Sequence, residues 1–181
     1  MAAHTDAALP ATGAAPWQMT LSTLGLFLLR VGYGLVFLTN GIAKLPGQPE
    51  RIFPFKGFLI TRDSARGIID YDTQGHPVGI YRDFIENVVL EHWNVFGTLL
   101  AATELLIGVC LILGVFTPIA ALIGAGFQLH LNFANIHRED KWLWEAAVEW
   151  LPLLTLAFTR AGRSWGLDSR LARRFPQWPV T

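Results

Sequence analysis

The chain has 181 residues, of which 15% are charged and 52% are hydrophobic, and its formal net charge is zero. Because soluble globular proteins carry roughly 25% charged residues, this composition argues against a soluble fold and favours a membrane protein. The balanced charge gives no reason to expect a nucleic-acid partner.

The first element is an apolar run that follows a polar tail. Residues 1–20 contain no Lys or Arg, so the basic region of a secretory signal is missing, and we expect a disordered tail here. Residues 21–43 are then long enough to cross roughly 30 Å of hydrocarbon as the first transmembrane helix. Arg30 and Asn40 are the polar interruptions of this span.

The segment 46–94 separates the first span from the second. It begins with repeated Pro and Gly turn signals, and residues 81–92 then alternate apolar and polar side chains at helical spacing. This pattern predicts a long loop and an interfacial helix that leads into the second span. Phe53, Phe55 and Phe58 are expected at the headgroup level, or in a loop folded against the end of the bundle.

Three further apolar runs predict three more transmembrane helices. Their predicted bounds are 95–113, 117–135 and 144–158. The Gly and Pro residues of 114–118 end one helix and start the next, so the second and third spans form an antiparallel hairpin. The fourth span is short and contains Pro152, so it needs tilt, a thinner bilayer or a partner protein.

The predicted fold is therefore an all-α integral membrane four-helix bundle over residues 21–160, followed by a basic tail over 161–181. The Arg residues of that tail favour a cytoplasmic location for both termini under the positive-inside tendency. The predicted loops on the opposite side are also basic, which weakens this preference.

Polar side chains on the spans provide the candidate site. A charge near the bilayer centre costs several kcal/mol, so these side chains should face the bundle interior. Arg30 and Glu104 are the predicted pair, since glycines on the same helix faces allow close approach of the backbones. The other candidates for a buried polar or quinone site are Asn40, Lys44, Gln128, His130, Asn132, Asn135 and Glu149.

Two roles for these residues stay open. An Arg–Glu pair with amide neighbours could only fix the register of the helices. Alternatively, a buried guanidinium, carboxylate and amides offer donors for a quinone carbonyl and a route for its protons.

The histidines favour neither a haem nor a metal site. His130 and His137 are seven residues apart, on one helix face and roughly 10 Å from each other, so they would not ligate one iron from opposite sides. Cys110 is the only cysteine and has no partner for a disulfide within the chain. We therefore expect no metal and no tightly bound cofactor, with a quinone as the candidate ligand.

Three stretches carry a resemblance to a known family. LLRVGYGLVFLTNGIAKL (28–45) resembles the first helix of the DoxX/DoxD family of small membrane proteins, and ATELLIGVCLILGVFTPIAALIG (102–124) is similar to its second hairpin. FKGFLITRDSARGII (55–69) resembles the DoxD-like branch, the small subunit of thiosulfate:quinone oxidoreductase. Asn40 stands where many relatives have His, so a titratable group is missing there. The residues that match the family pattern are Arg30, Gly41, Lys44, Glu104 and Gly108.

The resemblance implies a membrane subunit of a quinone-linked oxidoreductase or respiratory complex, in the cytoplasmic membrane of a bacterium or archaeon. Its expected partners are the lipid bilayer and either other subunits or further copies of the chain. The resemblance does not imply that the chain catalyses a reaction alone. Two other classes stay open: a noncatalytic accessory subunit that docks through its loop and fourth helix, and a small transporter.

Overall fold

The computed structural model describes residues 16–45, 59–139 and 141–175. Within these ranges the chain is all-helical, as predicted. The α-helices are α1 (Pro16–Ala43), α2 (Arg62–Thr73), α3 (Gly79–Phe84), α4 (Trp93–Leu113), α5 (Thr117–Ala134), α6 (Leu143–Phe158) and α7 (Asp168–Arg174). A π-helical segment, Ile85–Leu90, lies between α3 and α4, and a single 3-10 turn, Ala161–Arg163, follows α6.

The four longest helices, α1, α4, α5 and α6, correspond to the four predicted spans and pack around one hydrophobic core. α1 packs mainly against α4, and α5 packs mainly against α6. The bounds of α4, α5 and α6 lie within two residues of the prediction. α1 begins at Pro16, inside the predicted disordered tail, and residues 1–15 lie outside the described ranges. The buried core residues are Phe37, Ile107, Leu111, Ala120, Ala121, Ala125, Leu153, Leu156, Ala157 and Ala161.

Glycines set the close packing of α1 against α4, as the sequence predicts. A Cβ atom added to Gly108 would lie 2.5 Å from the backbone nitrogen of Leu38. A Cβ atom at Gly41 would lie 2.8 Å from the backbone nitrogen of Leu105. Since real Cβ atoms do not approach backbone this closely, any larger residue at these positions would push the two helices apart.

Two of the four core helices are long and apolar enough to cross a membrane. These candidate spans are residues 20–43 of α1 and 93–113 of α4. α6 has only 16 residues, and α5 carries Gln128, His130 and Asn132 in its second half. The structure therefore gives an all-α protein with two candidate spans, which is less than the four transmembrane helices predicted.

The segment between α1 and α4 contains more helix than the sequence predicts. The helical pattern over residues 81–92 is confirmed by α3 and the π-helical segment. The prediction missed α2, a 12-residue amphipathic helix whose N-cap is Thr61, the side chain of which accepts a hydrogen bond from the Ser64 backbone. α2 buries Ala65 in a second apolar cluster with Ile85, Val89, Leu90 and Trp93. The Phe53, Phe55 and Phe58 positions lie outside the described residues.

The first part of the predicted basic tail packs against the helix bundle. Residues 161–168 pack against the turn between α4 and α5. The Leu167 and Asp168 backbone nitrogens donate to the carbonyl oxygens of Leu113 (3.1 Å) and Gly114 (2.7 Å). The buried Asp168 carboxylate accepts hydrogen bonds from the backbone nitrogens of Phe116 and Thr117, at 2.7 and 2.9 Å. Asp168 thus caps the start of α5 from a distant part of the chain.

Candidate functional site

The predicted pair of Arg30 with Glu104 does not form. Arg30 is completely buried, and it donates from Nη1 to the Leu111 carbonyl (2.9 Å) and from Nη2 to the Ser164 carbonyl (3.2 Å). The reason is the register of two antiparallel helices, in which Gly41 rather than Arg30 lies beside Leu105. The eleven residues from Arg30 to Gly41 separate Arg30 from the level of Glu104 by roughly 16 Å along α1.

Glu104 instead pairs with Lys44, the residue that follows α1. The Lys44 Nζ atom lies 2.8 Å from one carboxylate oxygen of Glu104 and 3.1 Å from the other. Both residues are buried, with 2% and 6% of their surfaces exposed. Lys44 Nζ also donates to the Asn40 carbonyl at 3.3 Å. A buried charge pair is tolerated only when each charge is matched in this way, so removing either partner would leave an uncompensated charge.

A cavity of about 320 Å³ opens beside this ion pair, and we call it the ion-pair cavity. Its walls come mainly from apolar side chains of α2, the π-helical segment, α4 and α5. Three charged or titratable side chains reach it: Lys44, Glu104 and His130. An apolar cavity with a few convergent polar groups is the usual form of a small-molecule site. The apolar lining is Ile60, Ala65, Ile68, Ile69, Phe84, Ile85, Val89, Trp93, Phe96, Leu99, Leu100, Phe127 and Leu131.

Arg62, which sequence reasoning did not single out, holds α2 over this cavity. Its Nη2 atom donates to the Asn94 carbonyl at 2.7 Å, and its Nη1 atom donates to the Thr98 hydroxyl at 3.2 Å. These bonds join the first turn of α2 to the first turns of α4. α2 is therefore fixed as one wall of the ion-pair cavity.

His130 connects the cavity wall to an aromatic cluster. Its Nε2 atom lies 3.5 Å from the Tyr81 hydroxyl, and the Tyr81 ring packs against His76 and Phe133. Burial raises the pKa of the Tyr81 phenol, so it remains protonated at neutral pH.

His76, which the sequence placed in a loop, is 1% exposed and supports this cluster. Its Nδ1 atom accepts from the Val78 backbone nitrogen at 3.2 Å. Nε2 must therefore carry the proton that it donates to the Phe133 carbonyl at 3.0 Å. This arrangement fixes one tautomer of His76 and ties the loop before α3 to the end of α5.

The predicted amide and carboxylate residues of the last two spans form a separate site. The Asn132 side chain donates to Glu149 Oε2 at 2.9 Å and to the Gln128 backbone carbonyl at 2.8 Å. Asn132, Asn135 and Glu149 line a second cavity of about 500 Å³, which does not include Gln128 in its lining.

The Asn40 side chain forms hydrogen bonds with backbone groups and lines neither cavity. Its amide nitrogen donates to the Val36 carbonyl at 2.9 Å, and its oxygen accepts from the Ile60 backbone nitrogen at 3.0 Å. The one site predicted from sequence is therefore divided between two cavities, with Arg30, Asn40 and Gln128 in neither.

The model of the DoxX family matches residues 25–134, a range that runs from α1 through α5. This range contains Lys44, Glu104 and His130, the three charged or titratable side chains of the ion-pair cavity. No solved structure matches the chain.

Proposed function

Because this chain belongs to the DoxX family, we propose that it is the membrane subunit of a quinone-linked oxidoreductase or respiratory complex, related to the DoxD-like branch. The ion-pair cavity is the quinone site in this proposal. The observation that carries it is an apolar cavity of about 320 Å³ with the buried Lys44–Glu104 pair in its wall. A quinone has the matching chemistry, since its ring and tail are apolar and its carbonyl oxygens accept hydrogen bonds.

The polar residues of the ion-pair cavity have different roles in binding a quinone. Lys44 Nζ is the cationic donor in the cavity wall, and in this proposal it turns one proton from the Asn40 carbonyl, its longest contact at 3.3 Å, to a ligand carbonyl while it stays paired with Glu104. His130 provides a second polar contact on the α5 side of the cavity. A bound quinone would supply the redox chemistry, whereas the chain holds the ring, excludes water from it and offers Glu104 and His130 as proton carriers.

We further propose that all four core helices lie in the bilayer. α5 and α6 share a core with the two candidate spans, and the α4–α5 turn makes those helices antiparallel. The segment from α2 to the π-helical segment would then lie at the headgroup level, with the termini on the opposite, cytoplasmic side. Single cysteines introduced at Asp70 and Arg170 of a Cys110→Ala chain test this topology with a membrane-impermeant maleimide. We expect labelling from opposite sides of the membrane, and labelling of both positions from one side would contradict it.

Quinone binding to the purified chain in lipid nanodiscs tests the site. We expect Lys44→Met to weaken binding of a short-chain quinone by roughly tenfold, because one charge-assisted hydrogen bond is lost. The matched control is Glu149→Gln, which changes a carboxylate in the other cavity and should leave the affinity unchanged.

A double variant separates binding from folding. Lys44→Met/Glu104→Met removes both charges, so it should restore the stability lost in the single variant without restoring quinone affinity. If the double variant binds the quinone as tightly as the unmodified chain, the ion-pair cavity is not the quinone site.

A noncatalytic accessory subunit is the second candidate function. α6 has only 16 residues, and its side chains Val148, Leu151 and Phe158 are more than half exposed. A neighbouring subunit packed on this face would cover a helix too short to span a bilayer by itself. Purification in mild detergent tests this idea: stoichiometric copurification of other membrane subunits without quinone binding would support it, and a homo-oligomer free of other chains would argue against it.

A further inference from the structure

The second cavity is larger than the first and has no role in the proposed function. It lies between the end of α5 and the start of α6, with a volume of about 500 Å³. Four charged side chains line it, and we therefore call it the four-charge cavity. These side chains are Arg138, Lys141, Glu145 and Glu149.

The four charges do not neutralise one another. The ion pairs Lys44–Glu104 and Arg82–Asp83 include none of these four side chains. A cavity that holds two cations and two carboxylates, none of them in an ion pair with another described residue, has charge available for a ligand.

Arg138 is held in place by stacking and not by hydrogen bonds. Its Cζ atom lies 3.9 Å from the centre of the Tyr71 ring. Its Nε and Nη2 atoms are buried, and neither has a hydrogen-bond partner among residues 16–45, 59–139 and 141–175. Stacking fixes the plane of a guanidinium, and a fixed guanidinium with free donors is well suited to a phosphate.

The carboxylates restrict the class of ligand. Glu149 is fixed by the hydrogen bond from Asn132 at 2.9 Å, and Glu145 lies one turn before it on α6. A simple anion would be repelled by these two carboxylates, and a simple cation would be repelled by Arg138 and Lys141. A ligand with one phosphate and one ammonium group satisfies both halves of the cavity.

The surroundings of the cavity are those of a lipid headgroup site. Apolar side chains in its lining are strongly exposed, including Ile136 at 67% and Trp142 at 66%. Trp is enriched where a membrane protein meets the headgroups, and basic side chains between transmembrane helices bind lipid phosphates. From these observations we propose that the four-charge cavity binds a phosphoethanolamine group, such as the headgroup of phosphatidylethanolamine.

The first test compares lipids that differ only in the headgroup. The full chain, delipidated in detergent, is titrated with phosphatidylethanolamine, phosphatidylcholine or phosphatidylglycerol of identical acyl chains, and bound lipid is counted by native mass spectrometry. We expect phosphatidylethanolamine to bind about tenfold more tightly than the other two. Phosphatidylcholine lacks ammonium protons for the carboxylates, and phosphatidylglycerol lacks the positive charge. Equal binding of all three lipids would overturn the proposal.

Variants test which side chains of the cavity bind the phosphate and which bind the ammonium group. Lys141→Gln should weaken binding of all three lipids, since each has a phosphate. Glu145→Gln/Glu149→Gln should reduce only the preference for phosphatidylethanolamine, and Glu139→Gln, outside the cavity lining, is the matched control. If the double variant keeps the full preference while its thermal stability is unchanged, the carboxylates do not bind the ammonium group and the proposal fails.

A phosphoethanolamine group could come from a lipid or from the free molecule, and thermal stabilisation by each distinguishes these two ligands. Stabilisation of the chain by the lipid but not by millimolar phosphoethanolamine would assign the site to a lipid headgroup. Equal stabilisation by both would show that the cavity recognises the headgroup chemistry without the acyl chains. Stabilisation by neither would contradict the proposal.

Discussion

The chain buries charge at two levels of the same helix pair, and the two places differ in what surrounds the charge. Arg30 is enclosed by backbone carbonyls of Leu111 and Ser164, and its guanidinium lies against Gly114, which has a φ of 64°. Lys44 and Glu104 are equally buried, yet they adjoin a cavity of about 320 Å³. The comparison teaches that burial of a charge does not by itself mark a ligand site. In our proposal, the apolar cavity beside Lys44 and Glu104 is the feature that marks the ligand site.

The largest effect is expected at Arg30. Replacing Arg30 with Met leaves the carbonyl oxygens of Leu111 and Ser164 without their donor and removes the cation near the buried Asp168. We expect a loss of about 4 kcal/mol in the free energy of unfolding, measured by denaturant titration in detergent. Quinone affinity of the folded fraction should not change. Arg82→Gln, at an exposed surface pair, is the control and should lose no more than about 0.5 kcal/mol.

Lys44→Met should destabilise the chain slightly less, by about 3 kcal/mol, because Glu104 is left as an uncompensated buried charge. The double variant Lys44→Met/Glu104→Met should recover most of this loss. Thermal unfolding of the single and double variants measures the difference. Equal destabilisation by the single and double variants would mean that the ion pair itself, and not charge matching, stabilises this region.

The bounds of α4, α5 and α6 could be predicted from sequence, whereas the positions of the helices relative to one another could not. Continuous apolar runs fix α4, α5 and α6 to within two residues, because only long helices satisfy such runs in a bilayer. The register depends on where Gly34, Gly41 and Gly108 meet the facing helix, and this is a property of two surfaces together. Aligning the centres of the predicted spans places Arg30 near the level of Glu104, in the middle of α4. In the observed register, Arg30 lies beside Leu111, near the C-terminal end of α4.

Two other features were missed for local reasons. α2 has turn signals on both sides and a polar first turn, so the sequence predicts a loop there, although Thr61 is a regular N-cap. The sequence places Asp168 in a basic tail and gives no sign of its cap, because its partners, Phe116 and Thr117, lie about fifty residues earlier in the chain. A long-range cap of this kind leaves no periodic pattern in the sequence.

Asp168→Asn tests the region that surrounds Arg30 with a smaller change. The amide keeps one acceptor oxygen but loses the charge, so one of the two backbone nitrogens of Phe116 and Thr117 loses its partner. We expect a loss of about 2 kcal/mol. Hydrogen exchange at these two backbone amides would report the change directly, and unchanged protection would show that the cap does not stabilise α5.

The smallest effect on stability is expected at Arg62, on the wall of the ion-pair cavity. Arg62→Gln removes hydrogen bonds to Asn94 and Thr98, for a loss of about 1 kcal/mol. Because α2 would then be held less firmly over the cavity, quinone dissociation should become faster while the overall fold is kept. Stopped-flow release of a fluorescent quinone analogue measures this rate, and an unchanged rate would show that α2 does not restrict the cavity.

We propose that the ligand binds beside the Lys44–Glu104 pair, which adjoins an apolar cavity, and not beside the fully enclosed Arg30. Photo-crosslinking of a short-chain azidoquinone to the chain in nanodiscs, followed by peptide mapping, tests it most directly. We predict labelled peptides from residues 93–104 and 127–131, which line the ion-pair cavity. Labelling confined to residues 111–116 and 161–168, around Arg30, would contradict it.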